Sequence, residues 1–178
     1  MCIFSYSHWQ PVYDEIKDHW GDRIFFSNEI PKEDHIQELM KSKKHGIYIA
    51  DDKAHEISTN SFFADLLVRY AHHHRLSTCL LVQDASMPGK MKSVLVKNFH
   101  VNILMSSPRD RAYLRSLGIM MNDYKCIMAA YDDCCAGGAH KYLIIVTHPK
   151  SNNQLKYRTQ IFPSDEHCIV YQAKKNDK

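Results

Sequence analysis

Lys44-His45-Gly46-Ile47-Tyr48-Ile49-Ala50-Asp51-Asp52 is the stretch on which the fold turns. Small and apolar residues run together from Gly46 to Ala50 without alternation and stop at two carboxylates. Such a run predicts a strand buried on both faces of a parallel sheet. Acids at the carboxyl end of that strand stand where open α/β sheets place their ligands. Two adjacent carboxylates there suit phosphoryl transfer: one can hold Mg²⁺ through its water shell, and its neighbour can orient a water. The same residues also read as a strand that ends in a polar turn, with Asp52 capping the next helix.

Working outward, Cys2–Tyr6 and Arg23–Ser27 are strand candidates. Between them, Pro11 suits a first helical position, and Val12, Ile16 and Trp20 form a stripe at helical spacing that ends at Gly21. Pro31 opens a second helix, with Ile36, Leu39 and Met40 facing inward. Beyond the acids, Ser58–Ser61 is rich in capping residues, and Phe62, Phe63, Leu66, Leu67 and Tyr70 make a helical face. Ser77–Val82 and Val101–Met105 read as buried strands, with Met91–Asn98 as a short helix between them. Arg109–Leu117 is helical and closed by Gly118. Asn122–Cys135 is a further helix with Tyr124, Ile127, Met128 and Tyr131 at core spacing. Tyr142–Val146 is a strand against which Leu155–Phe162 can fold back. Strands alternating with helices imply an α/β fold with a mainly parallel sheet and flanking helices. One domain is expected over 1–163, followed by a polar tail over 164–178.

The composition is that of an ordinary globular chain, 44% apolar and 24% charged. Lys and Arg outnumber Asp and Glu by only 23 to 20, too little to argue for nucleic-acid binding. No apolar run reaches the ~18 residues of a membrane span, and the amino terminus lacks a secretory signal. The six cysteines form no C-x-x-C pair and read as free thiols of a reducing compartment. His72-His73-His74 is no metal site by spacing, because consecutive helical residues point in different directions.

Several spaced features then coincide. They are Tyr6-Ser7-His8-Trp9-Gln10-Pro11-Val12-Tyr13-Asp14, the acid-tipped strand Tyr48–Asp52, Arg69 before the histidines, Leu80-Leu81-Val82-Gln83, Ser107-Pro108-Arg109-Asp110-Arg111, and Tyr157–Pro163. In this order they resemble the DNA-packaging ATPases of large DNA viruses and virus-like mobile elements, within the FtsK–HerA group of P-loop translocases. The resemblance covers Cys2 to Pro163. It implies a RecA-like P-loop NTPase core in which Asp51 is the Walker B ligand of Mg²⁺ and Asp52 positions the lytic water. It also implies that Gln83 senses the γ-phosphate and that Arg69 is an arginine finger across a subunit interface. ATP and Mg²⁺ are the implied cofactors. Double-stranded DNA and a homo-oligomeric ring are the implied partners, in a host cell or a virion.

One part of the pattern is missing. The phosphate loop G-x-x-x-x-G-K-[ST] does not occur: the sole Gly-Lys pair is Gly89-Lys90, with Asp84 five positions before and Met91 after it. In the sheet order implied by the resemblance, 5-1-4-3-2, the phosphate-loop strand lies between Ser77–Val82 and Val101–Met105. The chain is therefore expected to be a Walker-B half that hydrolyses ATP only when an N-terminal half completes it. The alternative is a non-catalytic interaction protein that keeps the translocase fold. A weaker third reading is an α/β metalloenzyme such as a nuclease, which needs further acids, Glu56 or Asp84, to converge on Asp51.

Overall fold

The computed structural model describes residues 1–66, 73, 75–85, 97–136, 138 and 140–173. Two compact units emerge, one of Met1–Gln83 with 87–98, the other of Asp84–Ser86 with Phe99–Lys178.

The first unit is a four-stranded parallel sheet flanked by helices. Its elements are β1 (Cys2–Tyr6), α1 (Pro11–Trp20), β2 (Ile24–Ser27), α2 (Glu33–Met40), β3 (Gly46–Asp51), α3 (Ala54–Thr59), α4 (Ser61–Asp65) and β4 (Leu76–Leu81). The strand order is β2-β1-β3-β4, every pair parallel. The acid-tipped strand is thus interior, with Asp51 level with Tyr6 on one side and Leu81 on the other.

Contrary to the expectation from its unbroken apolar run, β3 alternates. Gly46, Tyr48 and Ala50 are buried, whereas Ile49 and Asp51 are half-buried and Ile47 is 38% exposed. The reason is the distribution of helices over the two faces. Phe63 of α4 packs on Tyr48, ring centroids 5.7 Å apart, and His35 of α2 packs on Phe25, whose face Ile3 and Tyr48 share through the register. The opposite face is covered by α1, whose Tyr13 lies 5.0 Å from Phe4 and 5.8 Å from Phe26. Those rings lie on β1 and β2; toward β4 the same face bares Ile47 and Leu81, the latter 44% exposed. An unalternating run shows that residues are apolar, not that a second layer covers both sides.

The helix α1 corrects a second expectation. The stripe Val12–Ile16–Trp20 does not face the core: Val12 and Trp20 are each 46% exposed, and the buried residue is Tyr13. Both settings satisfy the helical period, and Tyr13 takes the inward one because its ring enters a cluster with Phe4, Tyr6, Trp9 and Phe26 and its hydroxyl finds a partner. Further on, Ile36 and Met40 are buried as expected. The helix α2 begins at Glu33 rather than at Pro31.

The second unit holds β5 (Val101–Met105), α5 (Arg111–Met120), α6 (Tyr124–Cys135), β6 (Tyr142–Val146), β7 (Tyr157–Thr159) and β8 (Ile169–Tyr171). The strands form an antiparallel sheet in the order β5-β6-β7-β8. Val101–Met105 therefore pairs with Tyr142–Val146 and not in the parallel sheet that the implied order gave it. The expected fold-back of Leu155–Phe162 is present as β7. The boundary expected at 163/164 falls inside this unit, because β8 pairs with β7. Tyrosine hydroxyls tie the helices to the sheet: Tyr113 donates to Asn102 at 2.7 Å, Tyr131 to the Met105 carbonyl at 2.9 Å and Tyr157 to Asp123 at 2.7 Å. Tyr124, expected in the core, is exposed, while Ile127, Ala130, Tyr131 and Cys134 are buried.

Gly118 does not close α5, which runs on to Met120. Its role is close approach: a Cβ built there falls 2.8 Å from the Tyr124 Cα, a main-chain atom that cannot turn aside. Gly118→Ala is therefore expected to lower stability, because overpacking costs about 1–3 kcal/mol against a helix-propensity gain of about 1 kcal/mol. A downward shift of the unfolding midpoint followed by circular dichroism checks this; an upward shift would show that the helices can part.

Candidate functional site

The site is assembled at the carboxyl ends of β1, β3 and β4. Asp51 is the last residue of β3, half-buried, with its main chain held in register between two neighbouring strands. The Tyr13 hydroxyl, brought in by α1, donates to Asp51 Oδ2. Among the described residues no hydrogen bond engages Asp51 Oδ1. Burial of the phenol, followed by its bond to the Asp51 carboxylate, holds the Tyr13 pKa well above the ordinary value.

Asp52 follows with φ of +55°, a left-handed conformation that Asp tolerates better than most residues. Its N–H donates to the Leu81 carbonyl at 3.1 Å, and its own carbonyl accepts from Ser7 Oγ at 2.6 Å. Both bonds use the main chain, so the Asp52 carboxylate is left exposed to solvent. It does not cap α3: the cap position belongs to Lys53, with no side-chain capping bond. The capping alternative is thereby set aside. Asn60 is the residue that caps, accepting from the Phe62 N–H at 2.9 Å to start α4.

Gln83 lies two residues past the end of β4, the strand paired with β3, and is exposed. The sheet thus brings Gln83 to the same end as the two acids. Arg69 lies outside the described residues, as do His72, His74 and the pair Gly89-Lys90; His73 is exposed.

Sequence reasoning missed three contributors. Tyr13 and Ser7 sit within the quoted segment Tyr6–Asp14, but their bonds span 38 and 45 residues and no local pattern announces them. Lys53 is buried beside the acids and ion-paired with Glu56 at 2.9 Å. The signal in the sequence is the spacing of Lys53 and Glu56, three residues apart at the start of a helix, which suits an ion pair as well as it suits the metal-ligand role considered above for Glu56. Burial would raise the Glu56 pKa; the Lys53 ammonium overrides that and holds it below the ordinary value. Glu56 is thus engaged by Lys53, and no group of three His, Cys, Asp or Glu among the described residues is placed to hold a metal ion. A cage built wholly of protein ligands, as the nuclease reading needs, does not form among them.

The chemical capacity of the site follows. One carboxylate with one oxygen fixed, beside a second carboxylate in solvent, is too small a donor set for a buried metal cage. It fits Mg²⁺, which keeps most of its waters and takes one or two carboxylates plus phosphate oxygens. Among the described residues no helix is long and apolar enough to cross a membrane.

No protein-family model matches the sequence, and no curated protein matches it. Among solved structures it is similar to the genome packaging NTPase B204 of Sulfolobus turreted icosahedral virus 2. In the complex of that protein with ATP-gammaS the TM-score is 0.55 at 11% identity, over 96% of this chain and 81% of that one. Its complex with AMP gives 0.49 at 14% identity, over 82% and 76% of the two chains. At such identity the likeness is one of fold: the chain has the mixed α/β fold, a parallel four-stranded sheet flanked by helices, of a viral genome packaging NTPase.

Proposed function

We propose that the chain is the Walker-B half of an ATPase that drives double-stranded DNA during viral genome packaging, and that it turns over ATP only when a phosphate-binding segment completes it. The observation that carries this reading is the pair Asp51-Asp52 at the tip of an interior parallel strand, next to the Gln83-bearing end of β4 and with no capping role. That is the place where open α/β sheets bind ligands. In this reading Asp51 holds the hydrated Mg²⁺, which neutralises charge on the phosphates when bound. Asp52 accepts a hydrogen bond from the attacking water and orients it. The Gln83 amide can donate to a phosphate oxygen and accept from that water at once. Arg69 is assigned the role of a charge donated to a neighbouring subunit, within a homo-oligomeric ring.

The dependence on a completing segment is supported by the uncovered part of the first unit. Among the described residues β4 has β3 as its sole strand partner, and the face beside it leaves Ile47 38% and Leu81 44% exposed. An unpaired edge next to exposed apolar side chains invites a further strand and a covering helix. A phosphate-loop strand followed by its helix has that form, and G-x-x-x-x-G-K-[ST] is the motif the sequence lacks.

The test is ATP hydrolysis by the chain alone and by the chain joined to a phosphate-loop strand and helix. No turnover is expected from the first and measurable turnover from the second. Robust hydrolysis by the chain alone overturns the dependence, and a fusion without Asp52-dependent turnover overturns the reading. The second reading, a non-catalytic interaction protein, is favoured by one observation: the Tyr13 hydroxyl already uses the Asp51 carboxylate as a structural acceptor. In that case Asp51→Asn changes the melting temperature, Asp52→Asn leaves it unchanged, and neither substitution alters nucleotide turnover in the completed chain.

A further inference from the structure

We infer that Tyr13 is a positioning residue for Asp51, fixing one carboxylate oxygen and leaving the other to a hydrated divalent cation. This rests on the magnesium role proposed above for Asp51. The argument begins with the freedom of an aspartate at a strand end. Its main chain is held by the ladder, but the torsion that turns the carboxylate is broad, so two oxygens compete for any ion. Here that torsion is restrained from outside the strand. The Tyr13 ring is 3% exposed and set among Phe4, Tyr6 and Trp9 at centroid distances of 5.0, 5.7 and 5.5 Å. A ring so enclosed cannot swing its hydroxyl away, and that hydroxyl donates to Oδ2.

The neighbouring residue is held from the same segment. Ser7, between β1 and α1, bonds the Asp52 carbonyl and supports its left-handed backbone. One short piece of chain, Tyr6 to Tyr13, therefore sets both the side chain of the first acid and the main chain of the second. Hydrogen-bonded partners of metal ligands orient them in this way, and their loss typically lowers metal affinity about 10–100-fold. If Tyr13 served only to fill the aromatic cluster, its hydroxyl would be dispensable, because phenylalanine keeps the ring.

Mn²⁺, which replaces Mg²⁺ and is counted by electron paramagnetic resonance, tests this on the full chain. The protein as it stands, Tyr13→Phe and Asp51→Asn are titrated. The expected result is a site that Asp51→Asn abolishes and that Tyr13→Phe weakens about 10–100-fold. A second readout is the infrared carboxylate band of Asp51, isolated as the difference between the native chain and Asp51→Asn without metal. Tyr13→Phe is expected to shift that band, which a space-filling role would leave in place. Unchanged affinity and an unmoved band in Tyr13→Phe, with the Asp51-dependent site intact, overturn the inference and leave the magnesium reading standing. Equal Mn²⁺ binding by the native chain and Asp51→Asn, or none by either, overturns both.

Discussion

In the chain completed by a phosphate-binding segment, Asp52→Asn is expected to lower the rate of ATP turnover about 10²–10⁴-fold while nucleotide binding persists. The substitution is clean for a structural reason. Asp52 stands at φ +55°, a region that asparagine shares with aspartate and that alanine resists. Its two described hydrogen bonds, to the Leu81 carbonyl and from Ser7 Oγ, belong to the main chain and survive the exchange. The change removes a charge from an exposed carboxylate and leaves its support alone. Loss of rate with retained affinity is then a statement about the attacking water. Asp51→Asn is expected to act differently, through weaker Mg²⁺-dependent binding, because it alters the acceptor of the Tyr13 hydroxyl and the ligand together. Equal turnover by the native fusion and Asp52→Asn would remove Asp52 from the chemistry. Loss of binding and rate in the same proportion would make it a binding residue.

How far the sequence discloses this site depends on the range over which its signals act. The apolar runs Cys2–Tyr6, Gly46–Ala50 and Ser77–Val82 are local, and each is a strand to within one residue, β4 lying at Leu76–Leu81. The acids end β3 because nothing apolar follows, which is a local fact too. Whether a face is covered is not local. Ile47 and Ala50 look alike in the run, yet one is 38% exposed and the other fully buried, because among the described residues Phe63 of α4 packs on the face that Ala50 shares with Tyr48, whereas the α1 ring on the Ile47 face lies over β1 and β2. The same limit governs β5. Its alternation of buried Asn102 and Leu104 with exposed Val101, Ile103 and Met105 inverts what hydropathy suggests for Asn102, whose amide oxygen is satisfied by Tyr113. Its antiparallel partner starts at Tyr142, after two intervening helices, and pairing at that distance has no trace in the local pattern. The place of the two acids at the strand end was legible; the hydroxyls that bond to them were not, since they arrive from a helix and a loop that only the fold brings near.

Tyr13→Ala is expected to destabilise the first unit by about 3–5 kcal/mol, the usual cost of removing a large buried aromatic side chain. Val12→Ala, on the stripe that hydropathy alone would bury, is expected to change stability by no more than about 0.5 kcal/mol. The two residues are neighbours on α1, so helix propensity and position are nearly matched and the difference isolates which face is inward. Tyr13 contacts Phe4, Tyr6, Trp9 and Phe26, and its removal also leaves the Asp51 carboxylate without its donor. Val12 is half-exposed and borders solvent. Urea unfolding followed by tryptophan fluorescence reads this unit selectively, because both tryptophans of the chain, Trp9 and Trp20, lie in it. Comparable losses for the two variants, or a larger one for Val12→Ala, would mean that α1 is rotated toward the Val12–Ile16–Trp20 stripe. The Tyr13 hydroxyl would then lie away from Asp51, and the positioning of the first acid would have to come from another element.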